Sequence, residues 1–243
     1  MGSLSLAERR VLITGASGGV GREVARKFLG EGARVFLTDR NEQALAGLAG
    51  ELGGVGWSAA DLSRADEVAR VFAELDAALR GLDVLVACAG IGAEPLMAFA
   101  DDSWREVIDS NLVSYVACAR AAIERIRRAP RGTGSVILLG SISVHIKAVG
   151  ESVYNAAKGG VASFAETLRK ELIPDGIRVT LIEPGAIGTS MQPFDNEERA
   201  RQIAEFKLLP PAEVAEAVLF AATRPVGVDC VTLRIEPLDQ KIF

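Results

Sequence analysis

The sequence predicts a doubly wound α/β fold, a parallel sheet with helices packed on both faces. Three observations carry this. Short apolar runs alternate with longer helical patterns almost from end to end. Several of the runs are continuously apolar, such as VLVACAG (84–90) and VILLG (136–140), which suits strands buried on both faces of a parallel sheet. Strand–helix alternation of this kind implies right-handed βαβ units. At 243 residues the chain is long enough for one sizeable core, so a single domain over 1–243 is expected.

The elements follow in order. Strands are expected at 11–14, 34–38, 54–60, 83–87, 135–139, 178–183 and 230–235. After the third strand, Val68, Val71, Phe72, Leu75 and Leu79 recur at helical spacing and mark one buried face. After the fourth, Trp104, Val107, Ile108, Leu112 and Tyr115 do the same. A long helix is expected over 152–173. Pro210-Pro211 opens another, because proline is tolerated in a first helical turn. The least regular part of the second half is 188–207, with Met191, Pro193, Phe194 and a charged run over 195–201. It is expected to act as a mobile lid over a site, the alternative being a solvated surface helix.

Composition removes several function classes. The net charge of −5 offers no basic face for nucleic acid or an acidic membrane. Three scattered cysteines, Cys88, Cys118 and Cys230, argue against a disulfide framework and fit a reducing compartment. They and the one histidine, His145, have no metal-ligand spacing, so no metal is expected. The N-terminus lacks the apolar run of a signal peptide, and no stretch is long enough for a membrane span. The expected location is the cytoplasm.

The first strand ends in TGASGGVG, Thr14 to Gly21, and a helix pattern follows. Gly15, Ser17, Gly19, Val20 and Gly21 would let the backbone approach a ligand closely. The free N–H groups and positive dipole end of the helix suit a pyrophosphate. A glycine-rich turn is weak evidence alone and stronger between the first strand and helix of a βαβ unit. Asp39, at the end of the second strand, can accept hydrogen bonds from ribose hydroxyls and would repel a 2′-phosphate. That favours NAD over NADP, although Arg40 could pair with a phosphate. Asp61-Leu62 closes the third strand, where the carboxylate could contact adenine or cap a helix.

Tyr154 and Lys158 sit four apart on one helix face. A free phenol is a poor base at neutral pH; lowering its pKa by about 3 units requires about 4 kcal/mol. A neighbouring ammonium and an oxidised nicotinamide could supply that in a dry site. Ser141, beyond the fifth strand, can hydrogen-bond a substrate oxygen; Ser143 is its neighbouring competitor. Asn111 falls on the apolar stripe between Ile108 and Leu112. It would serve either as a structural amide bonded to backbone or as part of a water-held proton relay toward Lys158. His145 and Lys147 are candidates for the substrate mouth.

With these residues in order, the chain resembles the classical short-chain dehydrogenase/reductase family. The likeness runs from TGASGGVG through Asn111, Ser141, YNAAK and Pro184-Gly185 to Thr189. It implies a Rossmann-type sheet of seven strands, a nicotinamide cofactor, a small alcohol or carbonyl substrate and a homotetramer or homodimer. It further implies Tyr154 as general acid/base, Ser141 orienting the carbonyl, Lys158 lowering the phenol pKa and holding the nicotinamide ribose, and Asn111 supporting the relay. Ala89, Gly90, Pro184, Gly185, Ile187 and Thr189 would border the cofactor, Ile187 against the nicotinamide ring and Thr189 on its carboxamide. One departure stands out. Ala87-Cys88-Ala89-Gly90 replaces the family's Asn-Asn-Ala-Gly, which removes amides expected to brace the sheet centre. Cys88 reads as a buried small residue rather than a reactive thiol. The C-terminal segment resembles a subgroup acting on small hydroxy acids and related polar alcohols, many of them NADP-linked. A 3-oxoacyl-thioester reductase and a non-catalytic dinucleotide sensor are the alternatives.

Overall fold

The computed structural model describes residues 2–240. The strands are β1 (Arg10–Thr14), β2 (Arg34–Asp39), β3 (Gly56–Ala59), β4 (Val84–Ala87), β5 (Ser135–Leu139), β6 (Arg178–Pro184) and β7 (Thr232–Ile235). They form one parallel sheet in the order β3-β2-β1-β4-β5-β6-β7. The helices are α1 (Gly19–Gly30), α2 (Glu42–Glu51), α3 (Ala65–Leu79), α4 (Trp104–Ile108), α5 (Ser114–Ile126), α6 (Ser143–Ile146), α7 (Ser152–Leu172), α8 (Asn196–Ala204) and α9 (Pro211–Ala222).

Alternation along each strand divides the apolar side chains between two cores. Leu12, Leu85, Val136 and Leu138 meet α3, α5 and α7 on one face. Val11, Ile13, Val86 and Ile137 meet α1, α2 and α9 on the other. Phe28 and Phe72, one in each core, are fully buried, and burial of such a side chain contributes about 1.5–3 kcal/mol.

The expected elements are present, and the differences lie at their ends. β3 begins at Gly56 rather than 54, because Gly53 and Gly54 turn the chain at φ +83° and +82°. β7 forms over four residues and alternates between exposed and half-buried, as an edge strand does. The stripe from Trp104 to Tyr115 is not one regular helix. A π-turn over Asp109–Val113 separates α4 from α5 and holds Asn111. Among the described residues no helix is long and apolar enough to cross a membrane.

The strand order reverses direction between β1 and β4. Connections leave toward β2 on one side and β5 on the other, which opens a crevice at the strand tips.

Candidate active site

A cleft of about 790 Å³ occupies that crevice. Every residue the sequence nominated for cofactor or catalysis lines it, from Gly15 and Ser17 at one end to Tyr154 and Lys158 at the other.

At the first end the backbone is drawn in tightly. Gly15 has φ +62°, and a Cβ there would stand 2.6 Å from Ala89 Cα. A Cβ on Gly19 would stand 2.7 Å from Thr189 Cγ2, and one on Gly21 would strike the Gly15 carbonyl. No side chain caps α1, so its first N–H groups remain for a ligand. Thr14 Oγ1 accepts from the N–H groups of Cys88 (3.2 Å) and Ala89 (3.3 Å). The loop that lacks the asparagine pair is thus tied to the end of β1 through its backbone N–H groups.

Asp39 is held by both oxygens: Oδ2 accepts from Ser17 N–H at 3.0 Å and Oδ1 from Asn41 N–H at 3.2 Å. Arg40 makes an exposed ion pair with Glu106 at 2.7 Å. Asp61 Oδ1 accepts from the N–H and hydroxyl of Ser63, while Leu62 is buried in the core beside it. Asp61 thus closes a turn before α3 and still faces the cleft. Across the cleft, Gly185 N–H donates to Ile235 O, Ile187 bridges to Leu209, and residues 189–193 complete the wall.

At the other end α7 brings Tyr154 and Lys158 to one face, as their spacing requires. Ser141 is buried beyond β5; its hydroxyl donates to Ser143 Oγ at 3.1 Å and accepts the Ser143 N–H at 3.1 Å. Burial pushes the Tyr154 phenol above its ordinary pKa. The Ser141 hydroxyl hydrogen-bonded to it pulls the other way, and nearby Glu151 adds to the rise. Lys158 Nζ lies 5.9 Å from the Tyr154 ring centroid. Lys158 is 4 % exposed, and burial lowers its pKa to about 7. Its Nζ donates to Leu139 O at 2.8 Å and to the Tyr115 hydroxyl at 3.2 Å.

Asn111 is fully buried. Its Nδ2 donates to Ile91 O and Val107 O, both at 2.9 Å, whereas Oδ1 has no partner among the described residues. The structural half of the expectation is thus present, and the free oxygen faces Gly90: a Cβ there would stand 2.5 Å from Oδ1 and 3.7 Å from Lys158 Nζ.

Other expectations change. His145 turns from the cleft to pair with buried Glu183 at 3.0 Å. Lys147 folds back onto Val144 O and lines a neighbouring hollow of about 400 Å³. Ile146 and Ala148 face the cleft instead. Burial holds the Cys88 thiol up at about 12, so it is not an activated nucleophile. Tyr115, Glu151 and Gln240 are among the lining or supporting residues that the sequence reading did not nominate. Tyr115 was legible only as an apolar stripe position. Its place one turn beyond Asn111 was the available signal.

Comparison with known proteins gives the family and the fold. The family model described as short chain dehydrogenase matches residues 9–200. The NADP-dependent 3-hydroxy acid dehydrogenase YdfG of Salmonella typhi is 33% identical over 238 residues, covering 95% of each chain. A dehydrogenase/reductase from Sinorhizobium meliloti 1021 superposes with a TM-score of 0.83 at 30% identity, over 96% of this chain and 95% of that one. A single-substitution variant of the actinorhodin polyketide ketoreductase, with NADPH, gives 0.83 at 27% identity, over 95% and 96%. A glycine-lined strand tip, a tyrosine and lysine sharing one helix face, and likeness along nearly the whole chain have one reading: this protein belongs to the short-chain dehydrogenase/reductase family.

Proposed function

We propose that the protein is a nicotinamide-dinucleotide-dependent oxidoreductase that interconverts a small secondary alcohol and its ketone or aldehyde. The observation that carries this reading is the convergence of the Tyr154 phenol, the Ser141 hydroxyl and the Lys158 ammonium on one end of the cleft. A dinucleotide sensor has no need of such a proton-handling group.

The other end fits the cofactor. Gly15, Gly19 and Gly21 let the strand tip and the start of α1 pack closer to Ala89, Thr189 and each other than a Cβ would allow, and the uncapped N–H groups suit a pyrophosphate. Ser17 and Val20 would join these N–H groups, Asp39 would hold the adenosine ribose, and Asp61, Leu62, Ala89 and Gly90 would border the adenine and its ribose. Pro184, Gly185, Ile187 and Thr189 would wall the nicotinamide. The bound dinucleotide supplies or accepts the hydride.

The protein's own part is to orient the carbonyl and move a proton. Ser141 turns its hydroxyl from Ser143 to donate to the substrate oxygen, and Tyr154 gives that oxygen a proton as negative charge develops on it. Its raised pKa keeps the phenol protonated at neutral pH, the state needed for carbonyl reduction. Alcohol oxidation requires the phenolate and so gains as pH rises. Lys158 supports the phenol electrostatically and reaches the nicotinamide ribose, and the free Asn111 oxygen serves the proton path. Residues 188–207 form the lid: 189–193 line the cleft, and α8 buries none of its residues.

NAD is the preferred cofactor on local grounds, because Asp39 is fixed at the β2 tip and Arg40 is engaged by Glu106. NADP is the second reading, favoured by the NADP-dependent relative and the NADPH-bound neighbour. The cytoplasm is the proposed location.

The test is a spectrophotometric screen of small ketones and alcohols with NADH and NADPH, using wild type and Tyr154→Phe. The variant should lose about 10²–10⁴-fold in turnover, the usual contribution of a general acid, while still binding cofactor. Turnover near wild type would refute Tyr154 as the acid/base.

A further inference from the structure

The chain has two tyrosines, and both rings face the same ammonium. Lys158 Nζ lies 5.9 Å from the Tyr154 ring centroid and 4.7 Å from that of Tyr115. Tyr154 belongs to the proposed chemistry, whereas nothing so far has given Tyr115 a task. It is fully buried on α5, one helical turn beyond Asn111, and its hydroxyl accepts from Lys158 Nζ at 3.2 Å across 43 residues of sequence. An apolar core position would be filled as well by phenylalanine. A buried phenol without a partner is costly, so the hydroxyl implies a polar neighbour that needs it.

We propose that Tyr115 is a positioning residue for Lys158, its hydroxyl and ring holding the ammonium charged and oriented beside the Tyr154 phenol. An ammonium has three N–H groups. Leu139 O takes one and Tyr115 takes a second, which leaves one for the cleft. The ring face adds cation–π attraction at 4.7 Å. Asn111 makes no hydrogen bond to the ammonium: its Nδ2 donates to two carbonyls and its Oδ1 has no partner among the described residues. Cys88 contributes no hydrogen bond to the ammonium among those formed in the cleft.

The charge arithmetic isolates the lysine. Around it stand Cys88 after β4, Tyr115 and Cys118 on α5, and Tyr154 with Glu151 at the start of α7. Burial holds both thiols at about 12 and both phenols above their ordinary value, so these four are neutral at pH 7. Lys158, at about 7, is the member of the cluster that changes charge near neutrality. A hydroxyl that accepts from the ammonium favours the charged form, so its loss must lower the pKa of Lys158 further.

This inference deepens the proposed function and rests on it, but its test needs no turnover. The pH dependence of acetic anhydride labelling at Lys158 is measured by peptide mass spectrometry on the cofactor-free protein, wild type and Tyr115→Phe. The labelling midpoint, near 7 in wild type, should fall by about one pH unit in the variant, the size of one charge-assisted hydrogen bond. In turnover, the limb of the kcat/KM profile governed by Lys158 should move the same way. A purely structural loss would lower kcat at every pH without moving it. An unmoved or raised midpoint in a folded Tyr115→Phe protein overturns the proposal. A lowered midpoint in a protein that reduces no carbonyl upholds the lysine–tyrosine coupling and sinks the enzymatic reading instead.

Discussion

At the scale of single residues the cleft is governed by how groups are partnered. Lys158 illustrates the cost. Its pKa lies at about 7 against an ordinary 10.5, so burial of the charge disfavours the folded state. The sign follows from linkage. Below about pH 7 the lysine is charged whether folded or not, and the full penalty applies. From there to about 10.5 the unfolded chain binds the extra proton, so the penalty shrinks as pH rises. Lys158→Met should therefore raise thermal stability by about 1–4 kcal/mol at pH 6 and by less at pH 10, while abolishing turnover. Melting curves at the two pH values check this, and an equal or larger gain at pH 10 would contradict it. Asp39 carries the cofactor choice. If its carboxylate repels a 2′-phosphate, Asp39→Ala should move the NAD/NADP ratio of kcat/KM toward NADP by about tenfold, equivalent to about 1.4 kcal/mol. An unchanged ratio would remove Asp39 as the discriminator.

At the scale of elements, the tips of β1 and β4 form the floor of the site. Thr14 ends β1, and its Oγ1 receives two N–H groups from the loop after β4. Thr14→Val keeps the shape and removes the acceptor, leaving both donors short of a partner. The expected cost is about 1–3 kcal/mol of stability together with weaker dinucleotide binding. Denaturant melts and cofactor titration measure the two, and unaltered values in both would show that the loop needs no brace. The π-turn between α4 and α5 works similarly. It brings Asn111 into full burial and, one turn on, Tyr115 beneath the lysine. Such turns occur often at functional sites because they rotate a side chain without ending the helix.

At the scale of the molecule, some apolar side chains remain exposed outside both cores. Val113 at the end of the π-turn and Val116 on α5 are exposed, as are Phe220, Val226, Val228 and Val231 around α9 and the β7 edge. An unpaired edge strand beside exposed apolar side chains favours association. We expect a homotetramer or homodimer. Light scattering should give a mass of two or four chains, and Phe220→Glu should reduce it; a wild-type monomer at micromolar concentration would rule the assembly out. A different long-range tie holds the sheet's other end. Arg10 and Asp83 make paired bonds of 2.7 and 2.9 Å across β1 and β4, which keep the Asp83 carboxyl below its ordinary value against the pull of burial.

The sequence by itself determined the class of fold, the order of its elements and the nominated cofactor and catalytic residues that the cleft brings together. These depend on local facts: apolar runs of strand length, helical spacing, glycine where backbone must approach, and Tyr154 and Lys158 one turn apart. Tertiary structure decided who partners whom. Tyr115 and Lys158 lie 43 positions apart, and neither the stripe that buries the tyrosine nor the motif that supplies the lysine encodes their contact. His145 looked like a residue of the mouth until the fold set Glu183 beside it. Thr14 accepts from two backbone N–H groups of the loop after β4, a contact its place at a strand end does not encode. Periodicity specifies which face of an element is buried, but the pKa of a buried group depends on atoms brought within about 4 Å by other elements, and those distances exist only once the sheet has closed its order.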